Sequence, residues 1–290
     1  MRTEKEMYDL VLNFAKNDQR VRAVGLNGSR TNPNAPRDIF QDYDVVYLVT
    51  EMESFLNQPD WIAVFGERLI MQTPEDMTLF PSELRTRYSY LMLFSDGNRI
   101  DLTLVPVEEA DQYVNEDKLT KILLDKDEIF PELPAPTDQD YWVKQPTSQK
   151  YLDCCNEFWW ITTYIAKGLW RREILYALDH LNRYGRPMLY QMLEWQVGIE
   201  TDFSVSIGKS EKYLERYLEA GNWESLLTTF PNASYESVWQ ALFNLIDLFR
   251  DTATCVANHF EYQYPKDWDQ NISTYLSQIK KLPHTATTFS

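Results

Sequence analysis

The hydrophobic pattern of the first half of the chain is mixed. Residues 3–17 place apolar side chains at helical intervals, which predicts a first helix. A β-type run at 21–29, VRAVGLNGS, stops at a Gly-Ser pair. A second run at 42–50, DYDVVYLVT, has little polar alternation, so we expect a strand that is buried on both faces. The segments YSYLMLF and RIDLTLV, joined by Ser-Asp-Gly-Asn, predict a β-hairpin over 88–105.

The pattern changes in the middle of the chain. The segment 130–149 is rich in proline and has little periodicity, which is typical of a domain linker. Before it, we expect a short strand at 69–72 and a helical segment at 106–125. After it, apolar residues recur at helical spacing, which predicts a series of helices with a break at Gly185-Arg186-Pro187.

These elements predict an α+β fold with two domains. Residues 1–140 would form a domain with a mixed sheet and flanking helices, and residues 141–290 would form an all-helical bundle. The length of 290 residues suits about two domains.

Composition and charge narrow the choice of partners. The formal net charge is −16 and the isoelectric point about 4.6, with the larger share of the acidic excess in the first half. Such a field repels nucleic acids and anionic membranes and attracts cationic small molecules. No apolar run approaches the length of a membrane span, and the three cysteines suggest neither a disulfide framework nor a zinc site. We expect a cytoplasmic protein, a monomer or weak dimer, with no nucleic-acid or membrane partner.

Two aspartates lie at the start of the predicted strand 42–50, where charged residues are uncommon. Asp42 and Asp44 are two positions apart, so in a strand they point to the same face. Two such carboxylates repel each other unless a cation neutralises them, and Mg²⁺ binds carboxylates together with substrate phosphates. A third aspartate, Asp101, lies among β-forming residues of the hairpin. If that strand pairs beside 42–50, the three carboxylates can form a cluster for two metal ions.

Gly28 and Ser29 end the preceding strand. Glycine leaves backbone N–H groups accessible and serine adds a hydroxyl, so such a turn can bind phosphate. Gly-Ser pairs occur in many turns, and an Asp-x-Asp pair can also serve as a cap. The combination, in this order along the chain, favours a phosphate and metal site more strongly than either motif does by itself.

This order of motifs resembles the nucleotidyltransferase superfamily with a DNA polymerase β-like palm. Nearly the whole chain, moreover, resembles the aminoglycoside 6-adenylyltransferases, which modify streptomycin. The segments that carry the resemblance are MRTEKEMYDLVL, LNGSRTNPNAPRDIFQDYDV, RIDLTLVP, LDCCNEFWW, IAKGLWRREILYALDH and GIETDFSVSIGKSEKYLERY. The resemblance implies that the first domain is a nucleotidyltransferase palm and that the helical domain binds substrate.

The implied reaction is transfer of AMP from ATP to a hydroxyl of streptomycin, expected to be the 6-hydroxyl, with release of pyrophosphate. Two Mg²⁺ ions are the expected cofactors. Asp42 and Asp44 would hold the metal that is bound to the triphosphate. Asp101 would hold the second metal near the acceptor hydroxyl, and could also take the proton of that hydroxyl.

The resemblance implies nucleotide contacts from both halves of the chain. The backbone at Gly28 and the hydroxyl of Ser29 would hold the β- and γ-phosphates, and Arg30 is a weaker candidate because loop arginines are commonly solvated. Lys209 and Lys212 resemble the position from which related enzymes extend a lysine to the triphosphate. A solvated helix start is the competing interpretation for these two lysines.

For a cationic antibiotic, the helical half has to offer acids and aromatic faces. The candidates are Glu157, Trp160 and Asp179. Asp179 is also an alternative to Asp101 as the base, which leaves the identity of the base open. The competing interpretations are salt bridges to nearby arginines for the two acids and a core position for the tryptophan.

Two rival functions stay open at this point. One keeps the chemistry and changes the acceptor to another antibiotic or to a protein hydroxyl. The other is a catalytically silent nucleotide-binding sensor. Three buried acids without a metal would destabilise the folded state, which argues against the sensor.

Overall fold

The structure is a computed structural model that describes residues 1–80 and 86–289. The chain divides into two units, Met1–Asp140 and Tyr141–Ser290. Each unit has a hydrophobic core of its own. The division falls within the proline-rich segment 130–149, while the functional roles given to the two halves stay predictions.

A mixed sheet forms the centre of the first unit. In its described part, the strands are β1 Val21–Asn27, β2 Tyr43–Val49, β3 Arg68–Gln72, β4 Tyr88–Phe94, β5 Arg99–Pro106 and β6 Lys121–Asp125. Their order across the sheet is β3-β4-β5-β2-β1-β6. Strands β2 and β5 run parallel, and the other neighbouring pairs are antiparallel. The α-helices of this unit are α1 Glu4–Asn17, α2 Met52–Leu56 and α3 Ala110–Glu116, and its short 3₁₀ turns are Gly28–Arg30, Pro59–Phe65, Pro74–Asp76 and Val107–Glu109.

Strand β2 is buried on both faces, as the sequence predicts. Val45 packs in one core cluster together with Met7 of α1. Val46, which points to the opposite face, packs in a second cluster together with Tyr113 of α3. The two faces of the sheet are therefore covered by different helices, and each residue of β2 is assigned to one face or the other.

The predicted helical segment over 106–125 is wrong at its C-terminal end. Lys121–Asp125 forms β6, which pairs antiparallel with β1. Ile122 packs in the core cluster on one face of the sheet and Leu124 in the cluster on the other, because the pairing with β1 shifts register between these two residues. The sequence pattern fails here because five apolar-rich residues are too few to separate a strand period from a helical one.

The second unit is helical. Its α-helices are α4 Ser148–Trp170, α5 Ile174–His180, α6 Arg186–Glu200, α7 Leu214–Tyr217, α8 Ala220–Thr228, α9 Tyr235–Phe260 and α10 Lys266–Lys281. In its core, the rings of Phe158 and Phe249 stack with their centroids 3.6 Å apart. The predicted α+β fold with a helical C-terminal half is therefore confirmed. Among the described residues, no helix combines the length and apolar character needed to cross a bilayer.

The helix is not interrupted at Gly185-Arg186-Pro187, contrary to prediction. Leu181–Gly185 forms a π-helical turn that links α5 directly to α6. Gly185 keeps a helical backbone, with φ −69° and ψ −50°. Proline cannot donate a hydrogen bond to the preceding turn, and a π turn accommodates such a defect without ending the helix.

A buried ion pair joins α9 to α10. Arg250 donates to Asp269 through Nε at 2.6 Å and through Nη2 at 2.8 Å. Asp269, which is 7% exposed, also accepts hydrogen bonds from the hydroxyls of Tyr264 and Ser273. Burial by itself would raise the pKa of Asp269, but these hydrogen bonds outweigh burial and lower it. The carboxylate therefore stabilises the folded state in its ionised form.

Replacing Asp269→Asn should lower the free energy of unfolding by roughly 2 kcal/mol near neutral pH, because hydrogen bonds to charged groups are stronger than neutral ones. The native pKa of Asp269 lies below its ordinary value. The contribution of the carboxylate is therefore complete above about pH 5 and is lost as the pH falls through the native pKa. Urea unfolding of parent and variant at several pH values should show the two free energies converging in acid.

Asp247→Asn is the matched control for this prediction. Asp247 pairs with the same arginine at 2.7 Å, but its side chain is 70% exposed. Its replacement should lower the free energy of unfolding by less than about 0.5 kcal/mol. If the difference in unfolding free energy between the parent and Asp269→Asn stays constant as the pH falls, Asp269 does not stabilise the fold in its ionised form.

Candidate active site

Asp44 and Asp101 lie side by side on neighbouring parallel strands. In the register of β2 against β5, Asp44 is the direct partner of Asp101. Such partners project to the same face of a sheet. For Asp44 this is the face of Val46, which is covered by α3. The condition set in the sequence analysis, pairing of the hairpin beside β2, is met, and it brings together two carboxylates from distant parts of the sequence.

Asp42 and Arg99 lie next to this pair, toward the beginning of both strands. Arg99 opens β5, two positions before Asp101. Its guanidinium donates to both carboxylate oxygens of Asp101, through Nε at 2.8 Å and Nη2 at 2.7 Å. Nη1 of Arg99 lies 3.6 Å from Oδ2 of Asp42. One guanidinium thus bridges two of the three predicted carboxylates.

The surroundings of Asp44 oppose its ionisation. Burial, together with the charges of Asp101 and Asp42, raises the pKa of Asp44 to about 6. Burial also raises the pKa of Asp42, although the charge of Arg99 counteracts this effect. These carboxylates are therefore held where a negative charge is costly and where a cation relieves the cost.

The donor chemistry of the cluster fits a hard divalent cation, because three carboxylates offer only oxygen ligands. In the arrangement that residues 1–80 and 86–289 adopt, no three acidic, histidine or cysteine side chains are grouped as a metal-binding set. Both oxygens of Asp101 instead accept hydrogen bonds from Arg99. Asp42, Asp44 and Asp101 stay the predicted ligands.

Gly28 brings the Gly-Ser turn directly against Asp44. The turn follows β1, and Gly28 has a φ of +69°. A Cβ atom at this position would lie 2.2 Å from Oδ2 of Asp44. Glycine alone permits both the left-handed backbone and the close approach. The predicted phosphate-binding turn and the predicted metal ligands are therefore adjacent.

Arg30 has contacts that favour a structural role. Its guanidinium donates to the backbone oxygens of Asp42 at 3.0 Å and Gln41 at 2.8 Å, and stacks 3.5 Å from the ring centroid of Tyr43. Only 9% of its side chain is exposed. These contacts fix the loop between β1 and β2. Ser29 stays the predicted hydroxyl ligand for phosphate.

A hydrogen-bond network that the sequence analysis missed adjoins Asp44. Asn27, the last residue of β1, is the register partner of Asp44 on its other side. Its side-chain amide donates to Oγ1 of Thr120 at 2.7 Å and accepts from the Tyr113 hydroxyl at 2.6 Å. Asn27 and Tyr113 line a cavity of about 310 Å³ together with Asp44 and Asp101. The sequence feature that could have indicated this network is Asn27 itself, a polar residue at the end of a buried strand.

The candidate acceptor residues lie on the surface of the second unit. Glu157 and Trp160 are one turn apart on α4, and Trp160 is 59% exposed. Asp179 lies on α5, with its Oδ1 3.5 Å from Nη1 of Arg183, so it forms a salt bridge to the following turn. All three candidate side chains are accessible to solvent.

An aromatic cluster connects Trp160 to the helix that carries Asp179. Its members are Trp160, Tyr164, Tyr176, His180 and Tyr184. The contacting rings have their centroids between 4.1 and 6.2 Å apart. The cluster reaches the π turn Leu181–Gly185, and π turns occur frequently at functional sites. The aromatic residues of the cluster recur every four positions along each helical segment, which places their side chains on one face of the helix. This spacing is the sequence feature that could have indicated the cluster.

Lys209 and Lys212 flank a tight turn in the second unit. Gly208 has a φ of +75° and Ser210 a φ of 56°. Nζ of Lys212 lies 5.1 Å from the ring centroid of Tyr213. Both lysines are exposed. Their contact with a triphosphate stays a prediction.

A mixed sheet that presents carboxylates from two parallel strands beside a Gly-Ser turn is the arrangement expected of a nucleotidyltransferase. Comparison with known families gives the particular one. The chain belongs to the streptomycin adenylyltransferase family, whose profile matches residues 1–279. The predicted resemblance is therefore confirmed.

Several known proteins are similar to the chain along nearly their whole length. Aminoglycoside 6-adenylyltransferase from Bacillus subtilis is 48% identical, with 96% of this chain and 98% of the relative covered. The enzyme of that name from Campylobacter jejuni is 49% identical, with 97% of this chain and 97% of the relative covered. The one from Staphylococcus aureus is 42% identical, with 95% of this chain and 98% of the relative covered. A crystal structure of an aminoglycoside 6-adenyltransferase from Bacillus subtilis shares 43% identity, covers 97% of this chain and 100% of its own, and has a TM-score of 0.49.

Gly28→Ala should impair nucleotidyl transfer without unfolding the protein. The added methyl group would collide with Asp44, and the left-handed backbone would add strain of about 1–3 kcal/mol. We expect kcat/KM to fall by roughly 100-fold, with a decrease of about 5 °C in the thermal midpoint. Gly221→Ala is the control, because a Cβ there meets nothing within 4 Å. Parent-like turnover by Gly28→Ala would contradict the contact with Asp44.

Proposed function

We propose that the protein transfers AMP from ATP to the 6-hydroxyl of streptomycin, releases pyrophosphate and thereby confers resistance to the antibiotic. The observation that carries the proposal is the in-register pair of Asp44 and Asp101 beside Gly28, in a chain of the streptomycin adenylyltransferase family. The names of the relatives supply the substrate class, an aminoglycoside, and the modified position.

The first unit would hold the nucleotide. The backbone at Gly28 and the hydroxyl of Ser29 would bind the β- and γ-phosphates. Asp42 and Asp44 would hold one Mg²⁺ ion and Asp101 a second. Metal bound there supplies positive charge at the attacking and leaving oxygens of the α-phosphorus. The protein itself contributes orientation, because the sheet register fixes the carboxylates and the turn relative to each other.

Asp101 is the proposed base for the acceptor hydroxyl. Its position supports this proposal, because it lies on the same face of the sheet as Asp44 and is its direct partner on the neighbouring strand. A base has to approach the hydroxyl within about 2.6–3.2 Å or through one water molecule. Asp179 is assigned to the acceptor instead, since its salt bridge to Arg183 is solvent-exposed and a guanidinium of the substrate can replace it.

The second unit would bind the antibiotic. Glu157 and Asp179 offer negative charge, and the aromatic cluster offers ring faces to cationic groups. The net charge of −16 favours the approach of a cationic substrate. Lys209 or Lys212 would reach the triphosphate. The proposed compartment is the cytoplasm, which supplies ATP and Mg²⁺ and keeps free thiols such as the three cysteines of this chain reduced.

Pyrophosphate release tests the proposal directly. Purified protein is mixed with ATP, Mg²⁺ and either streptomycin, kanamycin, spectinomycin or lincomycin, and release should be fastest with streptomycin. Asp42→Asn and Asp44→Asn should each slow it by on the order of 10³-fold. Asp127→Asn is the control, because Asp127 is an acid of the same unit that pairs with Arg22.

The outcomes of this assay separate the rival functions. Release with a different antibiotic alone would move the proposal to another acceptor. Absence of release with every antibiotic, while ATP still binds, would favour a silent nucleotide sensor. Parent-like release by Asp44→Asn would rule out the metal assignment.

Trp160→Ala should weaken streptomycin binding more than it slows turnover. Removing an exposed aromatic face from a cationic ligand costs about 1 kcal/mol or more, so the KM for streptomycin should rise roughly five- to tenfold. We expect kcat and the KM for ATP to change by less than about twofold. Leu227→Ala is the control, since Leu227 is an exposed apolar residue of α8 outside the aromatic cluster. Steady-state kinetics with an unchanged KM for streptomycin would remove Trp160 from the proposed site.

A further inference from the structure

Four charged side chains form a square at the beginning of β2 and β5. Asp44 and Asp101 are register partners and form one side. Arg99 lies two positions before Asp101 in β5 and so projects to the same face, and Asp42, which directly precedes β2, lies 3.6 Å from its guanidinium, so these two form the opposite side. We call these four residues the charge square. Three of its corners are carboxylates and the fourth is a guanidinium.

The guanidinium contacts two of the three carboxylates. Arg99 binds Asp101 in a bidentate manner, at 2.8 and 2.7 Å, and reaches Asp42 at 3.6 Å. While both oxygens of Asp101 accept these hydrogen bonds, one acceptor site on each oxygen is occupied by Arg99, and the guanidinium charge next to them repels a metal ion. The Arg99 side chain is 42% exposed, so it can move into solvent without disturbing the core.

We propose that Arg99 is the resident counter-cation of the charge square and that a divalent cation has to displace it before Asp101 can act as a ligand. The inference rests on the proposed function, because it concerns the same carboxylates. Like charges directly opposite each other on neighbouring strands destabilise a sheet. Arg99 is thus a positioning residue: it holds Asp101 and Asp42 between turnovers, and metal binding exchanges one cation for another.

This role differs from that of an ordinary structural salt bridge in its effect on metal binding. Loss of a structural salt bridge lowers stability and leaves metal binding unchanged or weaker. Loss of a counter-cation that competes with the metal lowers stability without metal but strengthens metal binding. Measuring both quantities on the same variant therefore separates the two roles, and neither measurement needs the enzyme reaction.

The test uses Arg99→Gln in the full chain. In EDTA, its thermal midpoint should lie several degrees below that of the parent, on the order of 3 °C. In the absence of nucleotide, Mn²⁺ titration followed by the electron paramagnetic resonance signal of free Mn²⁺ should give roughly fivefold tighter binding. Saturating Mn²⁺ should remove most of the difference in midpoint.

Two further variants act as controls for this experiment. Arg99→Lys keeps the positive charge but loses the planar guanidinium that binds both carboxylate oxygens. Its thermal midpoint in EDTA and its Mn²⁺ affinity should therefore lie between those of Arg99→Gln and the parent. If Arg99→Gln does not fold, Arg99→Lys decides the question with the same measurements. Arg22→Gln is the matched control, because Arg22 also donates two hydrogen bonds to one carboxylate of the same unit, that of Asp127. Its Mn²⁺ affinity should equal that of the parent.

The possible failures are distinguishable. Unchanged or weaker Mn²⁺ binding by a folded Arg99→Gln overturns the proposal, and so does tighter binding that Arg22→Gln reproduces. If Asp44→Asn loses Mn²⁺ binding while Arg99→Gln binds like the parent, the role of Arg99 alone is wrong. If Asp44→Asn binds Mn²⁺ like the parent, the carboxylates are not the metal site, and both this proposal and the metal assignment of the proposed function fail.

Discussion

The repulsion between Asp44 and Asp101 is the constraint around which the first unit is arranged. The parallel pairing of β2 with β5 places two carboxylates opposite each other where they are partly buried. Their neighbours accommodate this arrangement. Gly28 leaves room for a carboxylate oxygen, Arg99 supplies positive charge, and Asn27 presents a neutral amide that is fixed by two hydrogen bonds. The Gly-Ser turn predicted to bind phosphate, the acids and Arg99 at the start of β5 are therefore positioned by one register.

The two units offer different chemistry to the proposed reaction. The first offers backbone groups and carboxylates that are fixed by a sheet, which suits a reacting phosphate whose position has to be defined closely. The second offers exposed rings and acids on helices, which suits a flexible cationic sugar. The π turn between α5 and α6 keeps the backbone helical where the aromatic cluster ends, so Tyr184 continues the row of rings begun by Tyr176 and His180.

Much of this arrangement could be predicted from local pattern. The helix α1, the buried strand β2 and the β4–β5 hairpin follow from periodicity and a turn motif, and Asp42 and Asp44 are conspicuous because they begin a buried strand. Arg99 could not be found in the same way. Its role depends on the pairing of β5 with β2, and a sequence pattern by itself describes an arginine at a strand start as solvated. The strand β6 was missed for a related reason, since its partner β1 lies far away in sequence.

The charged residues are confined to one end of the β2–β5 ladder. Farther along, Val45 faces Leu102 and Leu48 faces Val105, and these apolar pairs need no counter-charge. Replacing Asp44 by asparagine would relieve repulsion while leaving the ladder intact, so this proposed metal ligand is maintained against the thermodynamic preference of its own scaffold. If Asp44 binds metal as proposed, its replacement would lower activity while raising the free energy of unfolding. In this fold, high thermal stability is therefore a poor guide to whether a natural variant still works.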